Sequence, residues 1–164
     1  MIEKEAQGNS LFIIGSLEEL PERSFPIPKN DKENSFLTLG KSILIGKNNP
    51  KYKADRLRYD LKVIGEYAIE GTWLRRINYD VLFVQEAYAN KASTIQNITE
   101  GIEKYGEIGF YLNWSGDIDG DHIPDLVLSQ TSNHGGTMYF FLSSEAESGK
   151  LLKLVSEVWS WCGC

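Results

Sequence analysis

Four aspartates fall within nine residues in the stretch Gly116-Asp117-Ile118-Asp119-Gly120-Asp121-His122-Ile123-Pro124-Asp125-Leu126. Counting Asp117 as position 1, the carboxylates occupy positions 1, 3, 5 and 9. Like charges packed this densely repel one another and disfavour folding. A hard cation removes that penalty. Ca²⁺ takes roughly six to eight oxygen ligands, and alternate positions of a tight loop supply them. The spacing therefore predicts a calcium site made by Asp117, Asp119, Asp121, the Ile123 carbonyl and Asp125, with water completing the shell. Mg²⁺ suits the set less well, because it takes few carboxylates and keeps its waters. The bland alternative is a solvated acidic turn.

Other residues capable of chemistry are few. His134, in Ser132-Asn-His-Gly-Gly136, sits in a glycine-rich loop and is the weak candidate for a base beside the acidic loop. That pairing would make a calcium-dependent hydrolase. His122 reads as a turn residue. Cys162 and Cys164 close the sequence as Cys-Gly-Cys. A disulfide across one glycine would be strained and easily reduced, so a thiol-redox role is a further alternative. Without more Cys or His nearby, the pair makes a poor zinc site. No Gly-x-Ser-x-Gly, phosphate-binding glycine loop or His-Glu-x-x-His occurs.

The elements that must position the aspartates read as strands. Gly109–Trp114 precedes the loop and Leu126–Gln130 follows it, which makes a strand–loop–strand unit. It is not an EF-hand, since position 12 is Leu128 where a bidentate Glu is needed. Upstream, Leu11–Ile14 and Ser42–Ile45 are short apolar runs of strand type. Pro21, Pro26 and Pro28 mark 16–40 as irregular, a long loop laid over the domain. Leu61, Val63, Tyr67 and Ile69 alternate with polar residues, so a half-exposed strand begins there. Glu70-Gly71 reads as a turn, Trp73–Ile77 as the return strand, and Asn78-Tyr-Asp80 as a second turn into Val81–Val84. Residues 91–106 fit helix and strand alike; a strand near 93–98 with a turn or short helix over 99–105 is the preferred reading. Thr137–Leu142 is a strand, 144–149 a helical turn, and 151–161 a strand that could place Trp159 and Trp161 on one face. The fold class is mainly β, with α+β as the variant: an antiparallel, sandwich-like meander with few short helices.

The loop and its flanks, Trp114-Ser-Gly-Asp-Ile-Asp-Gly-Asp-His-Ile-Pro-Asp-Leu-Val-Leu128, resemble the calcium loop of FG-GAP and VCBS repeats. The resemblance implies the ligand set Asp117, Asp119, Asp121, the Ile123 carbonyl and Asp125. Pro124 and Leu126 match the family pattern as well. It covers about residues 110–130. Position 6 departs from the pattern: His122 stands where glycine is usual, because that turn tends to need φ > 0. A repeat propeller needs several such units and one is present, so the propeller architecture is not implied. Phe141-Leu-Ser-Ser144 and the closing Gly-Cys are similar to small bacterial proteins that carry a single loop of this kind.

Length and charge bound the rest. The chain has 164 residues, which suits one domain over 1–164, with 1–10 a polar, mobile lead-in. Seventeen basic against 23 acidic residues give a net charge of −6, which argues against a general nucleic-acid binder. Residues 41–62 are locally basic, a face for an acidic partner or a solvated strand edge. No apolar run is long enough to span a membrane, and no signal peptide is visible at the first residues. The reading that follows is a non-enzymatic calcium-binding domain, the calcium structural, that recognises another protein in the periplasm or outside the cell. A toxin-neutralising immunity protein or a surface binding module is the analogy.

Overall fold

The computed structural model describes residues 36–45, 57–70, 73–88, 92–104, 109–132 and 135–161. Eight strands run in chain order: β1 (Ser42–Ile45), β2 (Leu57–Glu70), β3 (Trp73–Ala87), β4 (Ser93–Asn97), β5 (Phe110–Gly116), β6 (Asp125–Ser132), β7 (Gly135–Leu142) and β8 (Lys153–Trp161). They form two four-stranded antiparallel sheets, each a plain meander, β1-β2-β3-β4 and β5-β6-β7-β8. The mainly β expectation is met. No helix occurs among the described residues, so the short helices do not appear there.

The sheets exist because the strands alternate. In β7, Thr137, Tyr139 and Phe141 are buried while Met138, Phe140 and Leu142 are half-buried, the period of two that one covered face demands. Tyr59, Leu61 and Val63 of β2 and Val81 and Phe83 of β3 point the same way. They meet Phe110, Leu126, Leu128, Tyr139 and Phe141 of the second sheet in one shared core. Tyr59 stacks on Phe83 at 5.7 Å, and Phe110 tilts against Tyr139 at 5.8 Å. Burying each such side chain contributes about 1.5–3 kcal/mol.

Each flank of the core is tied. On one side Leu37 donates its N–H to the Phe110 carbonyl (2.9 Å) and Gly40 to the Val63 carbonyl (3.0 Å). The Tyr79 hydroxyl donates to the Leu37 carbonyl. On the other side Gln96 of β4 accepts from the N–H groups of Leu151 (2.7 Å) and Leu152 (2.9 Å) and donates to the Leu152 carbonyl (2.7 Å). One side chain thereby joins β4 to the segment that leads into β8.

Two sequence expectations are corrected. Asn78-Tyr-Asp80 does not reverse the chain; β3 runs unbroken through it. The register slips between the pairs Ile64↔Asp80 and Glu66↔Ile77, so Asn78 and Tyr79 together face Gly65. Asn78 takes φ 52°, and its tolerance of the left-handed region serves a bulge rather than a turn. Residues 144–149 form no helical turn. Instead Ala146 donates to the Ser143 carbonyl and Lys150 to the Glu147 carbonyl, closing two separate reverse turns. Gly149 at φ 85° ends any helical continuation.

Two described residues of the basic stretch are matched by acidic neighbours, while Lys47, Lys51, Lys53 and Arg56 lie outside the described residues. Arg58 grips Asp60 with two nitrogens at 2.7 and 3.0 Å, and Lys62 lies 3.7 Å from Glu86. The 1–10 lead-in, the Leu11–Ile14 strand, the Gly71 turn position and most of 16–40 lie outside the described residues.

Candidate metal centre

The acidic loop closes the β5–β6 hairpin. β5 ends where Gly116 pairs with Asp125, the first residue of β6. Two apolar contacts hold the loop onto the outer face of the second sheet. Ile118 is buried against Trp114 and Val127, with Met138, Phe140 and Leu142 packed around them. The Trp114 indole also covers Gly116 so closely that a Cβ there would meet ring carbons at 2.5 and 2.8 Å. Glycine is required by that approach, immediately before the first aspartate.

Inside the loop, carboxylates take up the free backbone N–H groups. Asp117 accepts from Gly120 (2.6 Å) and His122 (3.3 Å), and Asp119 from Asp121 (3.1 Å). Asp121 accepts from Ile123 (2.8 Å). Such side-chain acceptors stabilise tight turns. Gly120 and His122 both take positive φ, 89° and 72°. His122 therefore adopts the conformation that glycine would adopt without strain. Its Nδ1 lies 3.5 Å from an Asp117 oxygen.

One oxygen each from Asp117, Asp119 and Asp125 falls within 4.8 Å of the others. Ligands on opposite sides of a Ca²⁺ ion stand up to about 5 Å apart, twice the usual Ca–O distance. The spacing fits such an ion. One Asp119 oxygen, Oδ2, is shielded from solvent and has no hydrogen-bond partner among the described residues, a costly arrangement for a carboxylate unless a cation faces it. The donors are all oxygen, the chemistry a hard cation takes.

Asp125 is the anchor. It is 0% exposed. Its Oδ2 accepts from the Ile118 N–H (2.7 Å), and its Oδ1 from the N–H and hydroxyl of Ser143 (both 2.9 Å). Burial still outweighs these three donors and pushes its carboxyl up to about 6. Asp121 is also held above the ordinary carboxylate value, by burial first and then by the charges of Asp119 and Asp117.

The five sequence-predicted ligands are not all gathered alike. Asp117, Asp119 and Asp125 converge, whereas Asp121 lies outside that trio, its Oδ1 on the Ile123 N–H. The Ile123 carbonyl faces the Ser143 hydroxyl at 3.5 Å. Ser143 is the participant that loop spacing does not reveal. It follows β7, eighteen residues from Asp125, and only the pairing of β6 with β7 brings it there. His134, Cys162 and Cys164 lie outside the described residues. Trp159 is half-exposed on β8, and the Trp161 side chain lies outside the described set.

No family model, no curated protein and no solved structure matches the chain.

Proposed function

We propose that the chain is a calcium-binding β-sandwich in which the ion is structural, and that the domain recognises another protein in the periplasm or outside the cell. Asp117, Asp119 and Asp125 would hold the ion, with Asp121 and the Ile123 carbonyl as the outer ligands of the loop. The observations that support this reading are the convergence of carboxylate oxygens from Asp117, Asp119 and Asp125, and a shielded Asp119 oxygen with no hydrogen-bond partner among the described residues. When bound, Ca²⁺ supplies positive charge that cancels the mutual repulsion of the loop. The protein's own contribution is rigid placement. Ile118 pins the loop to the second sheet, and Ser143 fixes the Asp125 carboxylate from the far end of β7. In this reading the ion is a tie between strands. Calcium at millimolar levels outside cells would fill a loop that lacks the bidentate Glu of tighter sites.

The test is thermal unfolding with and without calcium. At a free calcium concentration of about 100 times Kd, binding stabilises the fold by about 2.7 kcal/mol, a rise of about 5–11 °C in Tm for a chain of this size. Asp119→Ala combined with Asp121→Ala is expected to remove that rise and to leave the midpoint in EDTA nearly unchanged. Equal midpoints for the wild type in calcium and in EDTA would refute the reading.

A further inference from the structure

Asp117, Ile118 and Asp119 form a short tab between Gly116 and Gly120. Opposed forces act on it. Its apolar residue, Ile118, is buried against Trp114 and Val127 on the outer face of the second sheet, with Met138, Phe140 and Leu142 at the margin. The Ile118 N–H donates to Asp125 Oδ2 at 2.7 Å. Both contacts seat the tab. Its two charged residues work against that seat. One oxygen each of Asp117 and Asp119 stands within 4.8 Å of an Asp125 oxygen and of each other. Like charges held this close in a partly dry site repel strongly. Asp119 Oδ2, shielded from solvent, has no donor among the described residues to offset the repulsion.

Asp125 cannot give way. It opens β6, pairs with Gly116, and takes the N–H and hydroxyl of Ser143 on Oδ1. Relief therefore comes from moving Asp117 and Asp119, and Ile118 lies between them. Successive Cα atoms are about 3.8 Å apart, so withdrawal of both neighbours carries Ile118 off the sheet. The burial of one isoleucine and one hydrogen bond is of the same order as the repulsion it resists. A cation at the three oxygens decides the balance. We propose, building on the calcium reading above, that the tab is a cation-latched cover. Bound calcium holds Ile118 down over Trp114 and Val127, and removal of the ion at neutral pH lifts it and bares that apolar surface. The regulation has the opposite sign to that of helix-pair calcium sensors, which expose an apolar groove when the ion binds.

Amide hydrogen exchange, read residue by residue at constant neutral pH, tests the cover. The Ile118 N–H is expected to exchange at least about tenfold faster in EDTA than in calcium. In EDTA its rate should not respond to low urea, the mark of a local opening that exposes little surface. Acrylamide quenching of tryptophan emission should increase in EDTA, and Trp114→Phe should remove that increase. Asp119→Asn separates the cover from a simple loss of structure. It keeps an acceptor for the Asp121 N–H, removes one negative charge, and offers a donor in place of a carboxylate oxygen. It is expected to weaken calcium binding and yet to slow Ile118 exchange in EDTA below the wild-type rate, whereas a structural defect would speed exchange. Calcium that raises Tm while leaving Ile118 exchange unchanged overturns the cover and leaves the calcium reading standing. Equal midpoints in calcium and EDTA remove both. An Asp119→Asn chain whose Ile118 N–H exchanges in EDTA as fast as the wild type, or faster, also overturns the cover.

Discussion

Asp125 couples the loop to pH. Its carboxyl, pushed up to about 6 by burial, binds a proton more readily in the folded chain than in the unfolded one, where a carboxyl titrates near its ordinary value of about 3.9. Between those values the folded state holds the extra proton. Without metal, this group therefore stabilises the fold below its unfolded value, and that contribution is lost as pH rises through about 6. A cation requires the ionised form, so its stabilising effect has the opposite sign. The difference between Tm in calcium and Tm in EDTA is expected to grow from about pH 4 to about pH 6 and then to level off. Taking the difference cancels groups that titrate alike in both conditions, such as Asp80, which Lys104 holds below its ordinary value against the effect of burial. A difference that is flat or shrinking across that window would remove Asp125 from the ligand set. The clustering of Asp117, Asp119 and Asp125 was legible in the sequence, because it follows from a local spacing. Ser143 was not, since its two bonds to Asp125 depend on which strands become neighbours.

Among the elements, short strands with clear alternation were readable and long ones were not. Ser42–Ile45 is a strand as its apolar run indicates, and Ser93–Asn97 resolves as the strand β4 rather than a helix. The β2–β3 hairpin was divided too finely. Asn78-Tyr-Asp80 has the composition of a turn, but opposite it Gly65 at φ 146° allows the two strands to pass each other with a bulge. A Cβ at Gly65 would lie 2.8 Å from the Asn78 carbonyl oxygen and 2.9 Å from a Leu39 methyl. Local pattern cannot show this, because the requirement comes from the partner strand. Gly65→Ala is expected to cost more than about 1 kcal/mol, from the unfavourable φ together with the backbone clash. Gly101→Ala, also at positive φ (77°) but facing open space, should cost less. Urea unfolding of the two variants gives the comparison, and equal losses would show that the bulge does not need the glycine.

At the scale of the whole molecule, two meanders share one core and are cross-tied at both flanks. Gln96 carries one of those ties with three hydrogen bonds. Gln96→Leu would keep the side-chain bulk but leave two N–H groups and a carbonyl unpaired, for an expected loss of about 2–4 kcal/mol. Gln96→Glu retains the acceptor for Leu151 and Leu152 and should fall between Leu and wild type. A loss below about 0.5 kcal/mol for the Leu variant, the range of ordinary surface changes, would mean that water replaces the clamp without penalty. The chain order has a consequence for synthesis. The first sheet is complete at Asn97, and the second begins only at Phe110. A ribosome adding about 5–20 residues per second needs roughly 3–13 s to make the remaining strands. During that interval the face bearing Leu61, Val81 and Phe83 leaves the exit tunnel with no second sheet to cover it. Until translation reaches β8, the second sheet that covers this apolar face is incomplete.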